Sequence, residues 1–344
     1  MVDVNFCCSS FLAFRYIVDA NKDFSDKFKH EQYVQMPEDN KVQVLSSEDI
    51  DNAIQKQFDM LKDRKKGILL SGGMDSAILA SYMPGTDAYT FRFLGGDYQS
   101  EELKRAEKYA YQYNLNLHYI DVDWNMVLRN VDKCMQTKAA PVHSIEPQIY
   151  EGAVKAKQDG IDLMIIGDAS DYVFGGMDKL LSRDWSFNEW YNRFIYIEPS
   201  KVLKRPCDIK YIFEEYRHGD DVDFLGMINS ITVEESYSSY KNAFKAANMD
   251  YFDPYECLKM KEPLDLKRIR SGESKYLIRE LFSKKYSNIP IPEKLPMPRP
   301  VDIYFQDWKG PNRPEFRDNI DMDQFSGNQK WLLWSLEHFL NLIG

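Results

Sequence analysis

At residues 71–76 the chain reads SGGMDS, set between KKGILL and AILASY. GILL (67–70) is a short apolar run of the kind that makes a buried parallel strand, and AILA (77–80) has the composition of a helix start. The six residues are therefore a strand-to-helix turn. Gly72 and Gly73 remove Cβ atoms where backbone turns tightly and approaches a ligand, so that successive N–H groups and the helix start converge on an anion. Asp75 is an odd neighbour for phosphate unless a divalent cation lies between them, as magnesium does when held by one or two carboxylates and phosphate oxygens. The turn points to nucleotide with magnesium.

The flanking pattern supports the same fold class. SSEDIDNAIQKQFDMLKDR (46–64) opens with Ser46 or Ser47 ahead of acidic residues and continues at helical spacing. Strands follow at 88–93, 117–122 and 163–166, separated by helices at 101–113 and 147–158. This alternation predicts a parallel sheet with helices on both faces, in which ligands bind beyond the carboxyl ends of the strands. The last of these strands runs into IIGDASDYVFGG (165–176), which repeats the logic of the first site with acidic residues at a strand end and then two glycines. Asp171 could share a magnesium with Asp75, and Asp168 could act as base or ligand. The plainer alternative is a turn in which Asp168 and Ser170 cap a helix.

SGGMDS resembles the SGGxDS pyrophosphate loop of the N-type ATP pyrophosphatases, which cleave ATP between the α and β phosphates and adenylate a second substrate. GDASDYVFGG is similar to the SGEGADExFGG segment of asparagine synthetases, and FDPYECLKMKEPLDLKRIRSGESKYLIRELF (252–282) looks like the RxPFLD segment with the K-x-x-LR helix after it. The closing SGNQKWLLWSLEHFLNLIG also resembles their last helix. The resemblance implies an α/β fold, a doubly wound parallel sheet of the PP-loop (adenine nucleotide α-hydrolase) type with a helical C-terminal cover. It further implies ATP and Mg²⁺ as cofactors, with nucleotide contacts from Leu70, Ser71, Gly72, Gly73, Asp75, Ser76, Phe91 and Gly167 and metal contacts from Asp75 and Asp171. Asp168, Lys275, Lys294 and Glu235 are the expected catalytic residues. Lys275 and Arg279 could equally form a solvated basic face, and the pair Glu234–Glu235 a solvated helix start. Aromatic-rich residues 177–248 read as a helical cover over the acceptor pocket.

Composition narrows the chemistry. Lys and Arg number 44 against 54 Asp and Glu, a net charge of −10 in 344 residues. That balance opposes a broad nucleic-acid face, and with it a tRNA-modifying enzyme of the lysidine synthetase kind. No stretch has the length of a membrane span and the start lacks a basic leader, so a cytoplasmic protein without membrane or nucleic-acid partners is expected. The five cysteines include no CxxC, and Cys7–Cys8 reads as an apolar pair in a strand. The five histidines show no ligand spacing, so no structural metal is expected.

Glutamine-dependent asparagine synthetases begin with a catalytic cysteine and a glutaminase domain. Here residue 2 is Val2 and seventy residues precede the loop. Residues 1–45 thus read as a vestigial linker and 46–344 as the synthetase domain. The expected partners are a small-molecule or peptide carboxylate and an amine or ammonia donor, with a separate glutaminase or a homodimer compatible with both. Asp168 stands where asparagine synthetases have glutamate, and Val301 where the family often has a pyrophosphate-binding lysine; Lys294, Lys309 or Lys275 could serve instead. A nucleotide-binding relative without activity is the rival reading, opposed by the intact loop.

Overall fold

A computed structural model describes residues 1–95, 100–293 and 300–344. Five strands, β1 (Lys66–Leu69), β2 (Asp87–Phe93), β3 (Asn116–Val122), β4 (Leu163–Ile165) and β5 (Asp250–Phe252), form one sheet in the order β3-β2-β1-β4-β5. Every pairing is parallel. The chain winds outward from β1 to β3 and then returns to add β4 on the other side of β1. The order reverses between β1 and β4, the place where such sheets leave a crevice beyond their carboxyl ends. SGGMDS follows β1 and GDASD follows β4, so both strings open onto that crevice.

Alternating strand residues feed two cores. Ile68, Leu70, Ala88, Leu163 and Ile165 pack under α2 (Ser47–Met60), α3 (Met74–Ala80) and α4 (Ser100–Gln112). On the other face Tyr89, Ile120, Met164 and Ile166 pack under α6 (Glu146–Gln158) and α7 (Val233–Ala247). The fold is thus α/β and doubly wound. Ser46, not Ser47, caps α2: its Oγ accepts from the Asp49 amide at 3.1 Å while Asp49 accepts from the Ser46 amide at 3.0 Å. An additional helix, α5 (Trp124–Lys138), lies between β3 and α6 where the sequence pattern suggested none. β5, three residues beside an aromatic-rich stretch, was likewise not anticipated.

The stretch around Cys7–Cys8 is not a strand. Residues Val4–Phe14 form α1, capped by Asp3, with every residue from Phe6 to Phe14 buried. A continuous apolar run carries no period that distinguishes strand from buried helix. Both cysteines are buried and unpaired, and burial pushes the Cys7 thiol up to about 12. α1 shares a core with the last helix, α9 (Gly327–Ile343), where Phe24 meets Phe339 edge-on at 5.0 Å. Trp331, Leu332, Leu336 and Phe339 of that helix are buried in this core, while Trp334 is only partly buried against it. Trp185, Phe187, Trp190 and Phe194, all within residues 177–248, share a fourth core with Phe14. Among the described residues no helix is long and apolar enough to cross a membrane.

Candidate active site

The crevice is a cavity of about 400 Å³. Leu70, Ser71, Gly72, Gly73, Asp75, Ser76, Phe91, Gly167, Asp168, Asp171, Glu235 and Lys275 all line it. Lys294 lies outside the described residues. Lys309 is exposed and is not part of the lining, and Val301 is buried in the core beneath α9.

The loop is stapled by its own serines. Ser71 Oγ accepts from the Gly73 amide at 3.1 Å, and the Ser71 amide donates to Ser76 Oγ at 3.1 Å. Neither Gly72 nor Gly73 has a positive φ. A Cβ on Gly72 would lie 2.7 Å from the Glu102 carbonyl oxygen, so this glycine lets α4 close against the loop. That differs from the expected approach to a ligand. Glu102, which the sequence did not single out, lines the same cavity, and burial pushes its carboxyl up to about 7 against the opposing Gly72 amide.

Asp75 sits in the first turn of α3. Its Oδ1 accepts from Ser170 Oγ at 2.6 Å and its Oδ2 receives Lys275 Nζ at 2.7 Å. The same ammonium lies 2.5 Å from Asp171 Oδ1. Lys275 is therefore no solvated partner of Arg279. It is 5 % exposed and precedes α8 (Tyr276–Lys285) in the left-handed conformation, φ +53°. Burial favours its neutral form, but the Asp171 and Asp75 charges outweigh this and hold the ammonium well above its ordinary pKa. The double glycine after Asp171 is explained here. Gly175 has φ +75°, and a Cβ on Gly176 would fall 2.0 Å from Asp171 Oδ1 and 2.2 Å from Lys275 Cε. Only a glycine at 176 lets the ion pair form.

Two carboxylates converging on one cation suit magnesium, which takes few protein ligands and completes its octahedron with phosphate and water. Among the described residues no group of three or more His, Cys, Asp or Glu is placed to hold a metal ion.

Asp168 does not cap a helix. Its Oδ2 accepts from Ser236 Oγ at 2.6 Å, and burial pushes its carboxyl up to about 7, helped by the Asp171 and Glu235 charges. Glu235 is not part of a solvated helix start either. It is 4 % exposed and meets Arg15 Nη2 at 2.7 Å. The neighbouring Glu234 is also largely buried, its carboxyl pushed up to about 7 by desolvation. Both glutamates are covered by the N-terminal segment, a contact that no local pattern encodes. Arg15 and His143 complete this end of the cavity, and neither was singled out by motif.

The asparagine synthase family model matches residues 47–264, more than half of the chain. No curated protein matches it significantly. Among solved structures, NMN synthetase from Francisella tularensis is similar at 17% identity and a TM-score of 0.27 over 38% of this chain and 57% of its own. The chain thus spans little more than half the length of that protein. The U34-tRNA thiolase NcsA from Methanococcus maripaludis, with its [4Fe-4S] cluster, is similar at 12% identity and a TM-score of 0.30 over 86% of this chain and 80% of its own. The matched segment begins at α2 and takes in β1 to β5 and both strings that face the crevice, so the chain belongs to the asparagine synthase family.

Proposed function

We propose that this protein adenylates a substrate carboxylate with MgATP and passes the acyl group to ammonia or an amine, releasing AMP and pyrophosphate. The observation that carries the reading is the meeting of SGGMDS and the Asp168–Asp171 segment in one cavity at the point where the strand order reverses.

In the first half-reaction a carboxylate oxygen attacks the α-phosphorus. The bond from that phosphorus to the bridging oxygen breaks, and pyrophosphate leaves with the electron pair. The loop amides at the start of α3 and the Lys275 ammonium provide positive potential for the departing charge. Asp75 and Asp171 would hold magnesium when it enters with the nucleotide in place of the Lys275 ammonium, and the ion would supply further charge neutralisation. In the second half-reaction the amine nitrogen attacks the acyl carbon, the bond to AMP breaks, and the nitrogen loses a proton. Asp168 suits the role of acceptor, because a carboxyl near 7 is poised to take a proton at neutral pH. Its side chain is one methylene shorter than the glutamate of asparagine synthetases, so the acceptor nitrogen has to approach closer to β4.

The test is pyrophosphate release from MgATP across a panel of small carboxylates, with and without ammonium. Release that needs one carboxylate and then ammonium supports an amidating ligase. Release with carboxylate alone, indifferent to ammonium, supports an amine carried by the substrate or a second substrate. MgATP binding without release under any condition would refute the reading.

A further inference from the structure

Among the described residues six non-glycine residues have a positive φ: Arg15, Asn114, Ala139, Asn248, Lys275 and Asn319. Three are asparagines, which tolerate that region. The two long cations, Arg15 and Lys275, are the two that line the cavity. Lys275 is explained by its carboxylates. Arg15 calls for its own account, since it lies outside the segment that matches the family.

Arg15 is the residue after α1, with φ +66° and ψ +8°. Glycine would satisfy the backbone there better, so what an arginine adds is its side chain. Its Nη2 donates to Glu235 Oε2 at 2.7 Å, its Nη1 lies 2.9 Å from His143 Nε2, and its guanidinium stacks 4.1 Å above the Tyr196 ring. Among the described residues its buried Nε–H has no partner. The planar fork thus ties three separate parts of the chain together. These are the N-terminal segment, the turn before α6 and the first turn of α7. Ser236, next to Glu235 on that turn, is the residue that holds Asp168. The order from Arg15 through Glu235 and Ser236 to Asp168 runs along one wall of the cavity toward the Asp171–Lys275 pair.

We infer that Arg15 is a positioning residue for the acceptor end of the site, and that the N-terminal segment is therefore a working part of the catalytic cavity. It acts by fixing Glu235 and, through the first turn of α7, Asp168, while the loop that faces nucleotide is built without it. This rests on the proposed adenylating reading. Loss of Arg15 should then impair use of the carboxylate or amine and leave ATP binding in place.

The test compares the parent with Arg15→Gly, which suits the left-handed backbone, and with Arg15→Lys, which keeps the charge but not the fork. Three quantities are measured: thermal midpoint, MgATP affinity, and pyrophosphate release against the carboxylate and amine found active with the parent. The expected result for Arg15→Gly is a fall of at least tenfold in kcat/KM for the carboxylate or amine, with MgATP affinity within threefold of the parent. Partial recovery by Arg15→Lys, or by added guanidinium ion, is also expected. An unchanged kcat/KM overturns the inference, as does a loss of MgATP affinity equal to the loss of turnover, which marks general collapse of the cavity. A parent that releases no pyrophosphate with any carboxylate fails differently, since it removes the adenylating reading and this inference with it.

Discussion

Replacing Lys275 by methionine keeps the length and burial of the side chain and removes only the ammonium between Asp75 and Asp171. That ammonium lies 2.7 Å from the Asp75 carboxylate and 2.5 Å from that of Asp171, side chains that are 22 % and 32 % exposed. Removing one partner of a fully buried ion pair costs about 3–5 kcal/mol. Partial exposure of both carboxylates brings the expectation below that range, to about 2–3 kcal/mol. For a chain of 344 residues that corresponds to a fall of roughly 3–4 °C in thermal midpoint in the presence of a chelator. A divalent cation can then occupy the place the ammonium left. Recovery of about 2.7 kcal/mol needs ligand at about 100 times its Kd, so about 10 mM Mg²⁺ should restore the midpoint if its Kd is about 0.1 mM. The parent, whose seat is already taken, should show little response to Mg²⁺ without nucleotide. The assay is thermal unfolding of both proteins across a Mg²⁺ series without ATP. Equal midpoints in chelator, or a variant that Mg²⁺ does not rescue, would refute the view that ammonium and metal compete for these two carboxylates.

Asp75→Asn should abolish carboxylate-dependent ATP–pyrophosphate exchange and, because Lys275 keeps Asp171 as a partner, lower the unfolding midpoint by less than Lys275→Met does; undiminished exchange would remove its metal role. Gly176→Ala should cost about 1–3 kcal/mol of stability and most of the activity, because its methyl group overlaps both Asp171 and Lys275. The Ser236 hydroxyl lowers the Asp168 pKa against burial, so Ser236→Ala should move the rising limb of the pH–rate profile upward by about one unit. Glu234 has a folded pKa of about 7 against an ordinary 4.5, which means its ionisation opposes folding. The penalty is absent below pH ~4.5, grows as pH rises and is complete above about 7. Glu234→Gln should therefore stabilise the protein by about 1–2 kcal/mol at about pH 8 and change nothing near pH ~4, as read from urea midpoints at the two values.

Local pattern was enough for most of the frame. The apolar runs before SGGMDS and GDASD are strands because they are short, unbroken and followed by glycine-rich turns, and the helices between them follow from a 3.6-residue period. Short strings, each set by a single turn, also marked the loop, Asp168 and Asp171, whereas Lys275 was placed with them only through the resemblance to a known family. What it could not reach were contacts between segments far apart in the chain. Cys7–Cys8 and β5 lie in short stretches whose apolar content is the same in a strand and a buried helix, and only their neighbours decide between them. Glu234 and Glu235 look like solvated charges from within α7, yet the chain some two hundred residues earlier covers them. Lys275 looks like half of a basic face until two carboxylates from separate strand ends converge on it. Arg15 carries no motif at all. Turn chemistry and periodicity act over a few residues and are written locally, whereas burial and ion pairing depend on which distant surface arrives, and that is decided only when the sheet, α1 and α7 have packed together.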